Sequence, residues 1–328
     1  MTNKQAHKIE IKWLEENTHI DTSNIEKKYC DNVNFLNILQ SHCYAITMRI
    51  TQNLSFRIGL IHINGTPAGY IQILEKKALN SFLHALIIDR GPIWFEGYDT
   101  EENFKAFICA LKKEFPKRIG RKIRLIPEIE DSLEIRSFLQ QQGYKRSTNA
   151  AYQTAWIDLS NNQDTLRKNL KKKWRGSLQK AEKNEETIKT IFSHDADDIK
   201  ELLLLYAKDK AQKQYNGPSV KLLLPMIEVF AKNNQLFIAK AYKSNKLLGF
   251  ILLLCHGRSA TYQIGWNSTA GRSANIHHLL LWQAMLHLKD KGYISLDLGG
   301  MNDESASAVK KFKQGLGGRE ITLPGLYN

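Results

Sequence analysis

The strongest constraint on this chain is that it repeats itself. A shift of 180 residues lays Arg57–Leu74 over Phe237–Leu254 without a gap. Both segments read as strand, turn, strand: Asn64-Gly65 and Ser244-Asn245 tolerate positive φ at a tight turn, and Gly69 and Gly249 fall at the same place in the returning strand. A second echo, at a shift of 174, pairs Phe138-Leu139-Gln140-Gln141-Gln142-Gly143 with Phe312-Lys313-Gln314-Gly315-Leu316-Gly317. Each follows a short strand, Ile123–Ile126 or Tyr293–Leu298. Two copies of hairpin, helix, strand, helix and glycine-marked end predict an α/β chain with mixed sheets, built as two domains in tandem. The length of 328 residues agrees, because one core rarely grows past about 250–300 residues. The joint is expected near Ala150-Ala151, giving domains 1–153 and 154–312.

A hydrophobic fraction of 42% excludes general disorder. The longest apolar stretch, Leu247–Cys255, is about half of the roughly 18 residues a membrane span needs, and the polar start Met1–Gln5 is not a secretory signal. Cys30, Cys43, Cys109 and Cys255 lie far apart without a Cys-x-x-Cys pair, so reduced thiols and a cytoplasmic location are expected. The adjacent pair His277-His278 points in two directions on a helix and cannot readily share an ion, and no metal is expected. Residues 275–290 are apolar nearly all round and predict a buried helix ending at Gly292.

Charge is uneven. The net +14 divides into +9 over residues 154–312 and +4 over residues 1–153, with the remainder in the tail. Much of the excess is Arg167, Lys168, Lys171, Lys172, Lys173, Arg175, Lys180 and Lys183, against the single acid Glu182. With Leu166, Leu170, Trp174, Leu178 and Ala181 three or four apart, the spacing predicts one amphipathic helix with a cationic face. Such a face suits phosphates, through Lys171, Lys172 and Arg175. It equally suits an anionic membrane surface or plain solvation.

Several stretches in order resemble a known family. Leu166–Arg175 with Lys180–Lys183, Arg90-Gly91-Pro92, Tyr293–Gly300 and Lys311–Gly318 are similar to segments of the Fem-type peptidyltransferases, the aminoacyl-tRNA-dependent enzymes that build peptidoglycan interpeptide bridges. The resemblance implies two GNAT-like acyltransferase domains in tandem, the first completed by residues 313–328, without the coiled-coil arm of some members. It implies aminoacyl-tRNA as co-substrate, with no bound cofactor, and a nucleotide- or lipid-linked peptidoglycan precursor as acceptor, handled in the cytoplasm or at the inner membrane surface.

Transfer from a tRNA ester to an amine needs a positioned amine and a donor for the developing oxyanion. The resemblance assigns the catalytic pair as Phe312 and Lys313, the lysine stabilising the tetrahedral intermediate. Phe312 has the alternative of core packing, because Phe138 holds its place in the other repeat. Asp297 ends a buried-looking strand, where it could orient a substrate or accept loop amides. Tyr262 matches a tyrosine that lines the family's cleft, with core placement as the alternative. Lys213 and Tyr215 fall where the family handles the precursor diphosphate. After Gln40-Ser41 the family often places a phosphate-binding lysine, whereas this chain has Met48 then Arg49; after Arg90-Gly91-Pro92 many members have an aspartate, whereas here Ile93-Trp94-Phe95 precedes Glu96. Arg49 and Glu96 are the candidate substitutes.

Two other functions compete. Acyl-CoA N-acyltransferases share the fold and hold the pyrophosphate of acetyl-CoA or another acyl-CoA on a Gln/Arg-x-x-Gly-x-Gly/Ala loop. This chain has Thr269–Asn275 there, which lacks that fingerprint but offers Arg272 to a phosphate. A non-catalytic protein that binds RNA or a membrane surface is the third reading.

Overall fold

The computed structural model describes residues 8–14, 23–184, 187–215, 217–301 and 307–328; the polar start Met1–Gln5 lies outside them. The chain divides into two compact units, Met1–Tyr152 with Thr322–Asn328, and Gln153–Ile321.

In the first unit β1 (Ile9–Trp13) is followed by helices α1 (Ser23–Tyr29) and α2 (His42–Gln52), then β2 (Ser55–Ile63), β3 (Thr66–Ala78), β4 (Leu83–Gly91), the short β5 (Ile93–Trp94), α3 (Glu101–Glu114), β6 (Arg121–Pro127) and α4 (Leu133–Gln141). The sheet order is β1-β2-β3-β4-β6, with β5 also paired to β3. Its pairs are antiparallel except β4 with β6. Helix α3 forms because Thr100 caps it, Glu101 and Glu102 open it and Lys112 and Lys113 close it, matching the helix dipole. It buries Phe104, Phe107, Ile108 and Leu111 in one core with Ile61, Ile71, Ile73 and Ile88 of the sheet. The two sequence stretches Gln40-Ser41 and Arg90-Gly91-Pro92 meet here. Gln40 donates to the Asp89 carbonyl at 2.9 Å and accepts the Gln72 N–H at 2.8 Å, while Arg90 forks onto Glu128 with two 2.7 Å bonds. A Cβ on Gly91 would lie 2.4 Å from the tip of the Ile71 side chain and 3.0 Å from the Gln40 amide, so a larger residue would have to displace both.

The second unit runs β7 (Gln153–Asp158), α5 (Gln163–Asn169), α6 (Lys172–Glu182), β8 (Lys189–Ser193), α7 (Ile199–Lys213), α8 (Val220–Lys232), β9 (Leu236–Lys243), β10 (Lys246–His256), β11 (Ser259–Asn267), α9 (Thr269–Ser273), α10 (Ile276–Asp290), β12 (Ser295–Asp297), α11 (Ser307–Gln314) and β13 (Arg319–Thr322). The sheet order is β13-β7-β12-β11-β10-β9-β8, and β11 with β12 is parallel. The interior strand β10 is buried continuously from Leu248 to His256, which explains its unbroken apolar run. Helix α10 is covered nearly all round.

The repeat is visible in detail. Asn64-Gly65 and Ser244-Asn245 all take positive φ at the hairpin turns. The pairing skips Ala68 in β3 and Leu248 in β10, so each hairpin carries a bulge one residue before its aligned glycine.

The structure corrects one expected element. The basic segment is two helices, not one: Leu170 and Lys171 are extended between α5 and α6. Leu170 is buried and the Lys171 N–H donates to the Gly315 carbonyl at 2.8 Å, so tertiary packing breaks a run whose periodicity alone would continue. Arg167 is not part of a free cationic face. It forks onto Glu182 and lies over the Trp282 ring, which ties α5 to α6.

Candidate functional site

The site grows from the place where the parallel pair of the second sheet comes apart. β11 and β12 pair over Ser259–Thr261 and Ser295–Asp297. β11 continues to Asn267, whereas the chain leaves β12 after Asp297. A gap past the carboxyl ends of parallel strands is where open α/β sheets hold ligands. The pairing of β10 with β11 skips Gln263, and this bulge falls immediately after Tyr262.

Asp297 is fully buried. It accepts the Gly299 N–H at 2.8 Å and a hydrogen bond from the Thr154 hydroxyl, which also lies 3.1 Å from the Gly299 carbonyl. Asp297 thus accepts a loop amide, one of the two roles open to it. Gly299 takes φ +69, and a Cβ there would lie 3.0 Å from the Tyr262 carbonyl and 3.7 Å from Lys313 Nζ.

Lys313, on α11, brings its ammonium into this loop. It is 7% exposed, donates to the Gly300 carbonyl at 2.9 Å and lies 5.7 Å from the centre of the Tyr262 ring. An ammonium has three donors, and one carbonyl uses one of them. Burial lowers its pKa from the usual 10.5 to about 8, with Asp297 opposing the shift. The group is thus mainly charged at neutral pH and poorly solvated, which suits stabilisation of a developing negative charge.

Phe312 turns the other way. Its ring centre is 5.9 Å from Trp174 and 5.1 Å from His278, and it packs against the core of the second unit. The expected catalytic pair is therefore divided: Lys313 faces the loop and Phe312 serves packing.

Tyr262 leads to a second cluster. A Cβ on Gly265 would lie 2.4 Å from the Tyr262 hydroxyl and 3.1–3.2 Å from the His277 ring, so both side chains rest on that glycine. Burial raises the Tyr262 pKa and keeps the phenol neutral. Burial also takes His277 down to about 4, against the carbonyls of Trp266 and Phe250, with His278 and Lys213 adding to the fall. The buried Nε2 of this neutral imidazole has no hydrogen-bond partner among the described residues. His278, one residue on, packs at 4.8 Å from the Trp174 ring instead. Asp209 of α7 gathers the remaining groups: Lys213 Nζ at 2.6–2.8 Å, the Tyr215 hydroxyl, and Arg272 at 3.9 Å. Beside them a recess of about 470 Å³ is lined by Tyr206, Lys210, Tyr215 and Ser219 among others.

The fold thus brings together Lys313, Asp297 and Tyr262, and separately Lys213, Tyr215 and Arg272, with Tyr262 within electrostatic reach of Tyr215. Lys171, Lys172 and Arg175 stand at the start of α6, whose first turn contains no acid. Arg49 is exposed in the first unit, 5.9 Å from the Phe56 ring, and Glu96 is exposed after β5. Sequence reasoning missed Thr154 and Asp209, which have no local motif, and weighed His277 only as a metal ligand.

The segment between β11 and α10 bears on donor choice. It forms α9, capped by Ser268. The amides of Gly271, Arg272, Ala274 and Asn275 donate to Ser268, Ala270 and Arg272 within the segment. They are not presented as a cradle for a pyrophosphate.

Residues 166–314 match the family model described as an acetyltransferase (GNAT) domain. The crystal structure of FemX superposes with a TM-score of 0.74 at 14% identity, covering 96% of each chain. A tandem GNAT protein from the clavulanic acid biosynthesis pathway gives 0.51 at 12% identity over 98% of each chain. The C-terminal domain of a putative lysylphosphatidylglycerol synthetase from Agrobacterium fabrum gives 0.50 at 14% identity, covering 93% of this chain and 92% of that one. Comparison with curated proteins gives no significant match. The chain has a tandem GNAT-like α/β fold, and the stretch that matches the GNAT acetyltransferase model lies within its second unit.

Proposed function

We propose that the protein transfers an aminoacyl group from aminoacyl-tRNA to an amine of a peptidoglycan precursor. The observation that carries this reading is the Lys313 ammonium, buried where β11 and β12 part and held by Gly300. The acceptor nitrogen attacks the ester carbonyl, and the tetrahedral oxyanion takes a hydrogen bond from Lys313. Collapse forms the amide, breaks the bond to the ribose oxygen and delivers the nitrogen's proton to that oxygen. The ester supplies the driving force, so the protein need only position the amine and stabilise charge. Asp297 and Thr154 hold the loop that holds Lys313. Lys213, Tyr215 and Arg272 would receive acceptor phosphates, and Lys171, Lys172 and Arg175 the tRNA backbone. Arg49 and Glu96 stay acceptor candidates by resemblance alone, with the chemistry in the cytoplasm or against the inner membrane surface.

The match to a GNAT acetyltransferase domain favours acyl-CoA as the competing donor. The internal bonding of the Gly271, Arg272, Ala274 and Asn275 amides weighs against it. The deciding experiment supplies radiolabelled charged tRNA, or acetyl-CoA, with nucleotide- and lipid-linked muropeptides. Ribonuclease-sensitive product is expected; label moving only from the CoA ester would overturn the reading.

A further inference from the structure

At one end of the first sheet, β3, β4 and β6 finish together: Lys76 pairs with Ala85, Lys77 with His84, Ala78 with Leu83, and His84 with Arg121. Every residue from Lys76 to Leu83 is exposed. The tip carries large apolar side chains into solvent: Leu79 is 71% exposed, Phe82 55%, Leu83 43% and, on the adjoining loop, Ile119 84%. These four account for nearly half of the exposed large hydrophobics among the described residues, gathered on two touching loops. A cluster of this kind usually marks a contact surface.

The two loops are sewn into one platform. Arg118 donates to the carbonyls of Ser81, Phe82 and Ile119 at 2.7, 2.6 and 3.1 Å, and the His84 N–H donates to Gly120 at 2.8 Å. A Cβ on Gly120 would lie 2.4 Å from the Phe82 carbonyl. The same strand ends and loop carry the exposed lysines Lys76, Lys117 and Lys122, with Lys77 paired to Glu75, Arg118 on the loop carbonyls and Arg121 on the Pro116 carbonyl adding positive charge behind them. The acid preceding them, Glu75, is 2% exposed and already bridged by Arg57, Lys77 and His84. A cationic collar repels a second copy of itself and selects an anionic partner. Leucine and isoleucine gain little against phosphate and ribose, and gain most on entering hydrocarbon.

We infer that this platform docks the protein on an anionic phospholipid surface, with Leu79, Phe82 and Ile119 entering the headgroup boundary and the collar pairing with lipid phosphates. Apolar insertion plus a basic patch supplies the two signals that stable peripheral attachment needs. This docking is independent of which donor or acceptor the enzyme uses.

The test is co-sedimentation of the full chain with phosphatidylcholine vesicles with or without phosphatidylglycerol. Binding should require the anionic lipid and weaken with salt. Leu79→Ser/Phe82→Ser/Ile119→Ser, all at exposed positions, should lower it at least ~10-fold, and Lys117→Gln or Lys122→Gln about fivefold each, equivalent to ~1 kcal/mol per charge. Turnover with water-soluble substrates should be unchanged. Phe82→Trp should add a fluorescence component that shifts to the blue with anionic vesicles and is quenched by brominated acyl chains. No binding of the wild type, full binding by the triple serine variant, or an added fluorescence component in Phe82→Trp that ignores the vesicles would overturn the inference. So would loss of tRNA binding in the serine variant with lipid binding intact, which would make the platform an RNA surface.

Discussion

Lys313 lowers the stability of the fold because an ammonium in its place has lost most of its water. Its pKa is about 8 in the folded chain against the usual 10.5, so the penalty is full below pH 8, shrinks as pH rises from 8 through 10.5, and is gone above. A shift of that size corresponds to at most ~3 kcal/mol. Lys313→Met keeps the packing but leaves the Gly300 carbonyl without its donor, so a net gain of ~1–2 kcal/mol is expected at pH 7. Urea unfolding at pH 7 and pH 10 should show the gain at the first and much less at the second. The same variant should lose transfer while still binding tRNA, and wild-type turnover should fall as pH passes about 8; a flat alkaline limb would remove the ammonium from the mechanism. In sequence, Lys313 is one of three lysines in four residues, and resemblance alone singled it out. Its burial comes from Gly299, Gly300 and Tyr262, which are 13 or more residues away in the chain.

Periodicity cannot see a break that tertiary contacts impose, and the α5–α6 joint is such a break. Gly317 packs on the end of α5 at φ +73, and a Cβ there would lie 2.0 Å from the Asn169 carbonyl oxygen. Gly143, its partner in the repeat, takes φ +90 with open space around it. Gly143→Ala should therefore cost only the ~1–2 kcal/mol of a left-handed backbone, and Gly317→Ala clearly more, roughly 3–4 kcal/mol, because carbonyl and loop must also separate. Thermal or urea unfolding of the two variants compares a strained turn with a strained turn plus a clash. Equal losses would show that the loop moves freely away from α5.

The tail is part of the first unit's core. Tyr327 is 1% exposed and exchanges two backbone hydrogen bonds with Leu125, while Asn328 does the same with Lys145. Tyr327→Ala should cost about 3–5 kcal/mol, as for other large aromatic truncations. Hydrogen exchange should accelerate at Leu125 and Lys145, whose amides donate to the tail; protection unchanged there would mean that the backbone pairing survives without the ring. The second unit extends to Ile321 and so contains Lys313 and its helix.

The two-copy α/β plan was legible before folding, because hairpin turns, returning glycines and terminal Phe-x-x-x-x-Gly runs are local signals that survive at fixed spacing. The buried α10 was legible too, since its apolar residues leave no face for water. What the charged groups do was settled by folding. Arg167 joined Glu182, Asp297 turned to Gly299 and Thr154, and Lys313 went inside while Lys171 and Lys172 stayed out. The apolar platform at Leu79, Phe82 and Ile119 was equally hidden, since it joins two loops that are 36 residues apart at Phe82 and Arg118, and neither is notable alone. Local pattern sets which residues can be buried; which charges share that burial depends on partners that only folding brings within reach.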